Sequence, residues 1–113
     1  MKVVGYAGSR SAFSKSICLG EKLKTMLREK NIEMELYTAR NNVVEECRGC
    51  GKCFDEGLCP QDQEDSMEYI RKKILEADLI VLLSPVYLNN VSGAMKTFLD
   101  RIGSWVHTLA LSG

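Results

Sequence analysis

The chain has 113 residues, 45% of them hydrophobic, which is the composition of one globular domain. Lys plus Arg and Asp plus Glu both total 15, so no net field recruits nucleic acid. No apolar run approaches the roughly 18 residues of a membrane span. No secretory signal precedes the first expected strand, so the five cysteines are expected in a reducing cytoplasm rather than in disulfides.

Residues 2–7, K-V-V-G-Y-A, form a short apolar run that reads as a buried parallel strand. The turn G-S-R-S-A-F-S-K-S follows, with hydroxyls at Ser9, Ser11, Ser14 and Ser16 and a charge at Arg10. Beyond it Ile17, Leu19, Leu23, Met26 and Leu27 recur at helical spacing through about residue 30. A strand, a Gly/Ser turn and a helix start make an anion site, because free N–H groups and the helix dipole face the turn. Capping and solvation of a turn are the plain alternative for the same serines. The loop is neither a dinucleotide G-x-G-x-x-G nor a G-x-x-x-x-G-K-[ST] loop. Cys18, within the helical stripe, is expected to be buried.

Met34 to Thr38 alternates apolar and polar and reads as a second strand, and residues 40–46 as a polar linker. The run from Cys47 to Pro60 is C-R-G-C-G-K-C-F-D-E-G-L-C-P, with cysteines spaced C-x2-C-x2-C-x5-C at Cys47, Cys50, Cys53 and Cys59. No helix or strand is expected there. Thiolates this close can wrap one metal centre only where the backbone turns tightly, which the interspersed glycines permit. Three cysteines in one continuous loop suit three corners of an iron–sulfur cubane. Zinc is the first alternative, although it more often takes two separated C-x2-C pairs. Free or redox-active thiols are the second.

After Pro60, acidic residues precede Lys72 and Lys73 as a helix dipole prefers, and Met67, Ile70, Ile74 and Leu75 supply an apolar stripe. Leu79 to Leu83, L-I-V-L-L, is the most uniformly apolar run and reads as a central parallel strand covered on both faces. It runs into S-P-V-Y-L-N-N-V-S-G-A-M-K-T-F-L-D-R. Loops at the carboxyl ends of such strands are where open α/β sheets bind ligands. Tyr87 offers a flat amphipathic ring, Pro85 stiffens the turn, and Asn89 and Asn90 can bond a heterocycle edge. Ser92 can cap a helix bearing Met95, Phe98, Leu99 and Ile102.

Three blocks in this order resemble the flavodoxin-like NAD(P)H-dependent FMN reductase superfamily, and within it the iron–sulfur flavoprotein group. They are Gly8-Ser9-Arg10-Ser11 with Ser14 and Ser16, then the four cysteines, then Ser84-Pro85-Val86-Tyr87 with Ser92-Gly93, Met95-Lys96, Phe98 and Asp100-Arg101. The resemblance implies an α/β, flavodoxin-like open parallel sheet over residues 1–113, with the cysteine-rich loop at 47–60. It implies FMN, its phosphate held by Ser9, Ser11, Ser14 and Ser16, with Arg10 also among the cofactor-binding residues. The flavin ring is expected along Pro85, Val86, Tyr87, Leu88, Asn89, Ser92 and Gly93. A [4Fe–4S] cluster on Cys47, Cys50, Cys53 and Cys59 would exchange electrons with the flavin, with NAD(P)H or a redox protein as electron donor or acceptor. Two further readings stay open: an FMN-dependent NAD(P)H:acceptor reductase without a cluster, and a non-enzymatic, metal-stabilised or incomplete binding module.

The family sheet has five strands ordered 2-1-3-4-5, and three are legible here. The expectation is a domain truncated after its third βα unit, of order 2-1-3, whose third strand is left as a bare edge. A homo-oligomer, or completion by another chain against strand 3, Trp105 and Leu109 to Leu111, is therefore expected. His107 is given no role.

Overall fold

A computed structural model describes residues 1–112, with residues 105–112 described by backbone alone. The side chains of Trp105, His107 and Leu109 to Leu111 thus lie outside the described residues. Three parallel strands form the sheet: β1 (Lys2–Ala7), β2 (Glu33–Thr38) and β3 (Leu79–Leu83), in the order β2-β1-β3. That is the expected order. Val3 lies opposite Met34 on one side and Leu79 on the other, and the register runs without a bulge to Ala7, Thr38 and Leu83.

The strand period of two divides the sheet into faces. Val4 and Tyr6 join Tyr37, Met67, Ile70, Ile74, Met95 and Phe98 in the main core. That core is closed by α3 (Met67–Leu75) and α4 (Gly93–Ser112), while α1 (Lys15–Glu29) packs over β1 and β2 on the opposite face. The rings of Tyr6 and Phe98 stack with centroids 3.9 Å apart and planes 10° from parallel, fixing α4 over β1. Among the described residues no helix is long and apolar enough to cross a membrane.

Several sequence expectations are corrected. Cys18 is exposed, as are Leu19 and Met26. At roughly 100° per residue, Cys18 falls about 160° around α1 from Gly20, the residue that touches the sheet. Leu75 is 73% exposed, because it sits roughly 100° from Ile74 and outside the stripe set by positions 67, 70 and 74. Residues 40–46 are more than linker: Val44 is buried in the core. The cysteine run is not free of regular structure, since it holds α2 (Lys52–Glu56) and then a 3₁₀ turn over Pro60–Glu64. β3 is not covered on both faces. Among the described residues it pairs only with β1, and Leu79, Ile80 and Leu82 each remain roughly half exposed.

Candidate functional site

The loop from Gly8 to Ser14 leaves the carboxyl end of β1 and enters α1. Ser14 is the N-cap, its side-chain oxygen accepting from the Ile17 N–H at 3.2 Å. Ser9 and Ser11 close two small turns in the same way: Ser9 Oγ accepts from Ser11 N at 3.3 Å, and Ser11 Oγ from Phe13 N at 3.2 Å. Each hydroxyl accepts from the backbone and so keeps its own proton to donate. The first-turn N–H groups of α1 add donors and positive potential.

The loop after β3 is a hairpin. β4 (Val86–Tyr87) pairs antiparallel with β5 (Asn90–Val91), and Leu88 and Asn89 turn the corner with φ of 50° and 62°. Two consecutive positive φ values make a type I′ turn. Leucine is an unusual residue there, and Leu88 is 100% exposed at the tip. Asn90 is used locally, its Oδ1 accepting from Val91 N at 2.8 Å.

Ser92 ties the two loops together. Its N–H donates to Ser84 Oγ at 3.0 Å, its hydroxyl donates to the Gly8 carbonyl at 2.5 Å, and its oxygen caps α4 by accepting from Met95 N at 3.1 Å. This seam requires glycine at position 8. A Cβ there would stand 2.7 Å from Met95 Cβ and 2.9 Å from its Cα and N.

Between the loops lies a cavity of about 550 Å³. Ser9, Arg10, Ser11, Tyr87, Ser92 and Gly93 line it, so six of the sequence-predicted residues meet around one space. Ser14 and Ser16 stand outside it on the start of α1. Pro85, Val86 and Asn89 instead border a separate depression of about 320 Å³ beside the hairpin, and Leu88 borders neither. Sequence reasoning missed Val44, Glu45, Glu46, Ala94 and Thr97, which with Gly8 complete the wall. Thr97 was within reach, since it lies four residues from Gly93 on the same face of α4.

That face continues down α4 to a second cluster. Four residues beyond Thr97, Arg101 is fully buried. Its Nη1 donates to the Glu45 carbonyl at 2.9 Å and to Asp65 Oδ2 at 2.6 Å, and its Nη2 to Asp62 Oδ1 at 2.8 Å. The other oxygen of Asp62 pairs with Arg71 Nη2 at 2.8 Å. Burial opposes charge on Arg101, but its bonds to Asp65 and Asp62 outweigh that and hold its pKa above the usual value. Burial also opposes charge on Asp65, whose bonds from Arg101, Glu45 N and Met67 N nonetheless lower its pKa.

The cysteine loop hangs from this cluster. None of its four cysteines is in a disulfide; Cys47 and Cys50 are exposed, Cys53 and Cys59 partly buried. Gly49 and Gly51 take φ of 70° and 74°, which turns the chain between successive thiols. The Gly49 N–H donates to Cys47 Sγ at 3.4 Å, the kind of amide support a thiolate ligand uses. The donor set therefore suits a thiolate-ligated metal. Among the described residues, however, no three Cys, His, Asp or Glu side chains converge closely enough to hold one.

The sequence profile of the NADPH-dependent FMN reductases matches residues 1–112. An iron–sulfur flavoprotein of Archaeoglobus fulgidus is 33% identical over 113 residues, covering 100% of this chain and 50% of its own. One of Methanocaldococcus jannaschii is 37% identical over 101 residues, covering 89% of this chain and 51% of its own. An FMN reductase (NADPH) of Pseudomonas putida is 27% identical, covering 90% and 47%. The chain thus spans about half the length of these curated relatives. Among solved structures, RosB with a bound riboflavin-5′-phosphate derivative superposes with a TM-score of 0.71 at 20% identity, covering 91% of this chain and 42% of that one. A flavone reductase superposes at 0.64 and 23% identity, covering 91% and 30%. At these identities the superpositions speak for the fold.

Proposed function

The chain belongs to the NADPH-dependent FMN reductase family, and from that premise we propose a flavin-dependent oxidoreductase unit that binds FMN and carries a [4Fe–4S] cluster beside it. When bound, FMN would supply the hydride and single-electron chemistry, and the cluster would exchange electrons with it. NAD(P)H or a redox protein is the proposed donor or acceptor. The chain's own residues bind and orient. Ser9, Ser11 and the N–H groups at the start of α1, where Ser14 and Ser16 sit, receive the phosphate, with the Arg10 charge beside them. Tyr87, Ser92 and Gly93 border the ring, with the remainder of the hairpin, Pro85 to Asn89, as its outer edge. The observation that carries the reading is the single cavity shared by the Ser9–Ser11 loop and the loop after β3, held in place by the Ser92–Gly8 hydrogen bond. Cys47, Cys50, Cys53 and Cys59 are the proposed cluster ligands. They are supported by their spacing, by the amide donated to Cys47, and by relatives named iron–sulfur flavoproteins.

Titration of the purified chain with FMN and riboflavin, followed by flavin fluorescence, tests the cavity assignment. FMN should bind at least about tenfold tighter, since a phosphate gains several charge-assisted hydrogen bonds. The double variant Ser9→Ala/Ser11→Ala should lose most of that preference. Equal affinity for the two flavins rejects the phosphate assignment. One observation favours a second reading, an FMN-dependent NAD(P)H:acceptor reductase whose cysteines hold no cluster: among the described residues no three Cys, His, Asp or Glu side chains converge. Iron and sulfide analysis after anaerobic purification separates the two.

A further inference from the structure

The four cysteines differ in how firmly the fold fixes them. The turn around Cys50 stands open: apart from chain neighbours, nothing lies within 4 Å of a Cβ built at Gly49 or Gly51. The base of the loop does not. Gln61 is buried and spans the two stems, its Nε2 donating to the Glu46 carbonyl at 2.8 Å and its Oε1 accepting from Arg48 N at 3.1 Å. Those partners are the two neighbours of Cys47. One layer deeper, Asp65 Oδ2 accepts from Glu45 N at 2.9 Å and from Arg101, which also holds the Glu45 carbonyl and Asp62. Asp62 N in turn donates to the Cys59 carbonyl at 3.1 Å. The chain entering the loop is thus clamped on both sides of Cys47, and the chain leaving it is held at the Cys59 carbonyl.

We infer that Gln61 and Arg101 are positioning residues for the thiolate site: they hold the chain on both sides of Cys47 and behind Cys59, so that metal uptake has chiefly the turn carrying Cys50, between Gly49 and Gly51, left to order. The inference rests on the proposed cluster but concerns a different set of residues. Ordering a loop costs roughly 1–2 kcal/mol per residue, so clamping its ends in advance leaves less to be ordered by the metal. Removing such outer supports lowers metal affinity by about 10- to 100-fold at characterised sites. An ion-pair cluster that merely docked α4 on the core would have no need of Gln61, whose side chain bonds instead to the two neighbours of Cys47. The guanidinium also has a donor to spare, since Arg101 Nε is buried without a partner among the described residues.

Two measurements on the anaerobically purified, reduced chain test this. Amide exchange on metal-free protein should show Arg48 N and Glu45 N protected in the wild type. In Gln61→Ala, Arg48 N should lose protection while β1 stays protected. Cobalt(II) alone, titrated to the thiolate–cobalt absorption band, should bind the wild type about 10- to 100-fold more tightly than Gln61→Ala, with thermal midpoints within a few degrees of each other. Arg101→Lys keeps the charge and is the conservative variant; it should retain more affinity than Arg101→Gln, which leaves Asp65 without its guanidinium and Asp62 with Arg71 alone. Unprotected Arg48 and Glu45 amides in the wild type, or equal cobalt affinity in Gln61→Ala, overturns the inference. A protected base in a wild type that takes up neither cobalt nor iron sinks the cluster reading instead.

Discussion

Gly8→Ala adds one methyl group at the seam between the two ligand loops. The new Cβ would lie 2.7 Å from Met95 Cβ and 2.9 Å from Met95 Cα and N, whereas carbon atoms pack best at roughly 3.5–4.0 Å. Two of those contacts are backbone, so no rotamer change relieves them, and α4 must retreat by roughly 1 Å. The Ser92 hydroxyl sits on α4's cap and reaches the Gly8 carbonyl at 2.5 Å. A retreat of that size stretches the bond past its useful range. Overpacking costs about 1–3 kcal/mol, and a lost buried hydrogen bond adds about 1 kcal/mol, for a total of about 2–4 kcal/mol. Urea unfolding reads the stability, and FMN fluorescence quenching reads the cavity, which should bind at least about tenfold more weakly as its walls part. Gly103→Ala is the control, because nothing lies within 4 Å of its Cβ; in a helix interior it should be neutral or stabilising by up to about 1 kcal/mol. A Gly8→Ala protein within about 0.5 kcal/mol of wild type, with unchanged FMN affinity, would refute the close-approach argument.

Three further outcomes are expected. The half-exposed Leu79, Ile80 and Leu82 on the open edge of β3 should drive self-association of the 113-residue chain, and Ile80→Lys should shift light scattering towards monomer across a dilution series; a wild type that is already monomeric and unfolds cooperatively contradicts this. Burial raises the Tyr6 pKa from 10.0 to about 12, so its stabilisation is complete below the unfolded value and is lost as pH rises from 10 through about 12. The loss is on the order of 2–3 kcal/mol, and Tyr6→Phe should remove that alkaline slope in denaturant titrations. Asp65 is shifted the other way, so the stability it contributes is present above the ordinary carboxylate range and lost as pH falls through its lowered folded value. Asp65→Asn should flatten the acid limb of the same titration; an unchanged limb would place the acid-sensitive group elsewhere.

The sheet was legible because its signals are local and redundant. Two apolar runs and one alternating run, each of five or six residues and followed by a turn or an amphipathic stretch, leave few alternatives to a parallel sheet. Helix faces were read less well. Including Leu19, Met26 and Leu75 treated apolar identity as burial, whereas the angle around the helix decides it, and on that measure Cys18 had to face water. The serine loop and Ser92 were found because capping chemistry is written in neighbouring residues. Arg101, Asp62, Asp65 and Gln61 were not found as a set, since they are brought together by α4 crossing a segment some forty positions earlier. An arginine beside an aspartate in a helix reads as solvated surface until its partners are known. Thr97 and Arg101 follow Gly93 at steps of four, so one face of α4 connects the cavity proposed for FMN to the cysteine loop over about 12 Å of helix.

The central claim is that one fold holds FMN and a thiolate-bound iron–sulfur cluster close together. Its most direct measurement is a count of iron, sulfide and flavin on a single anaerobic preparation supplied with FMN and iron, for the wild type, Cys50→Ser and Cys18→Ser. The account predicts four iron, four sulfide and one FMN per chain in the wild type and in Cys18→Ser. Cys50→Ser should keep its flavin and lose its cluster. FMN without iron in the wild type, or a full cluster surviving in Cys50→Ser, would contradict it.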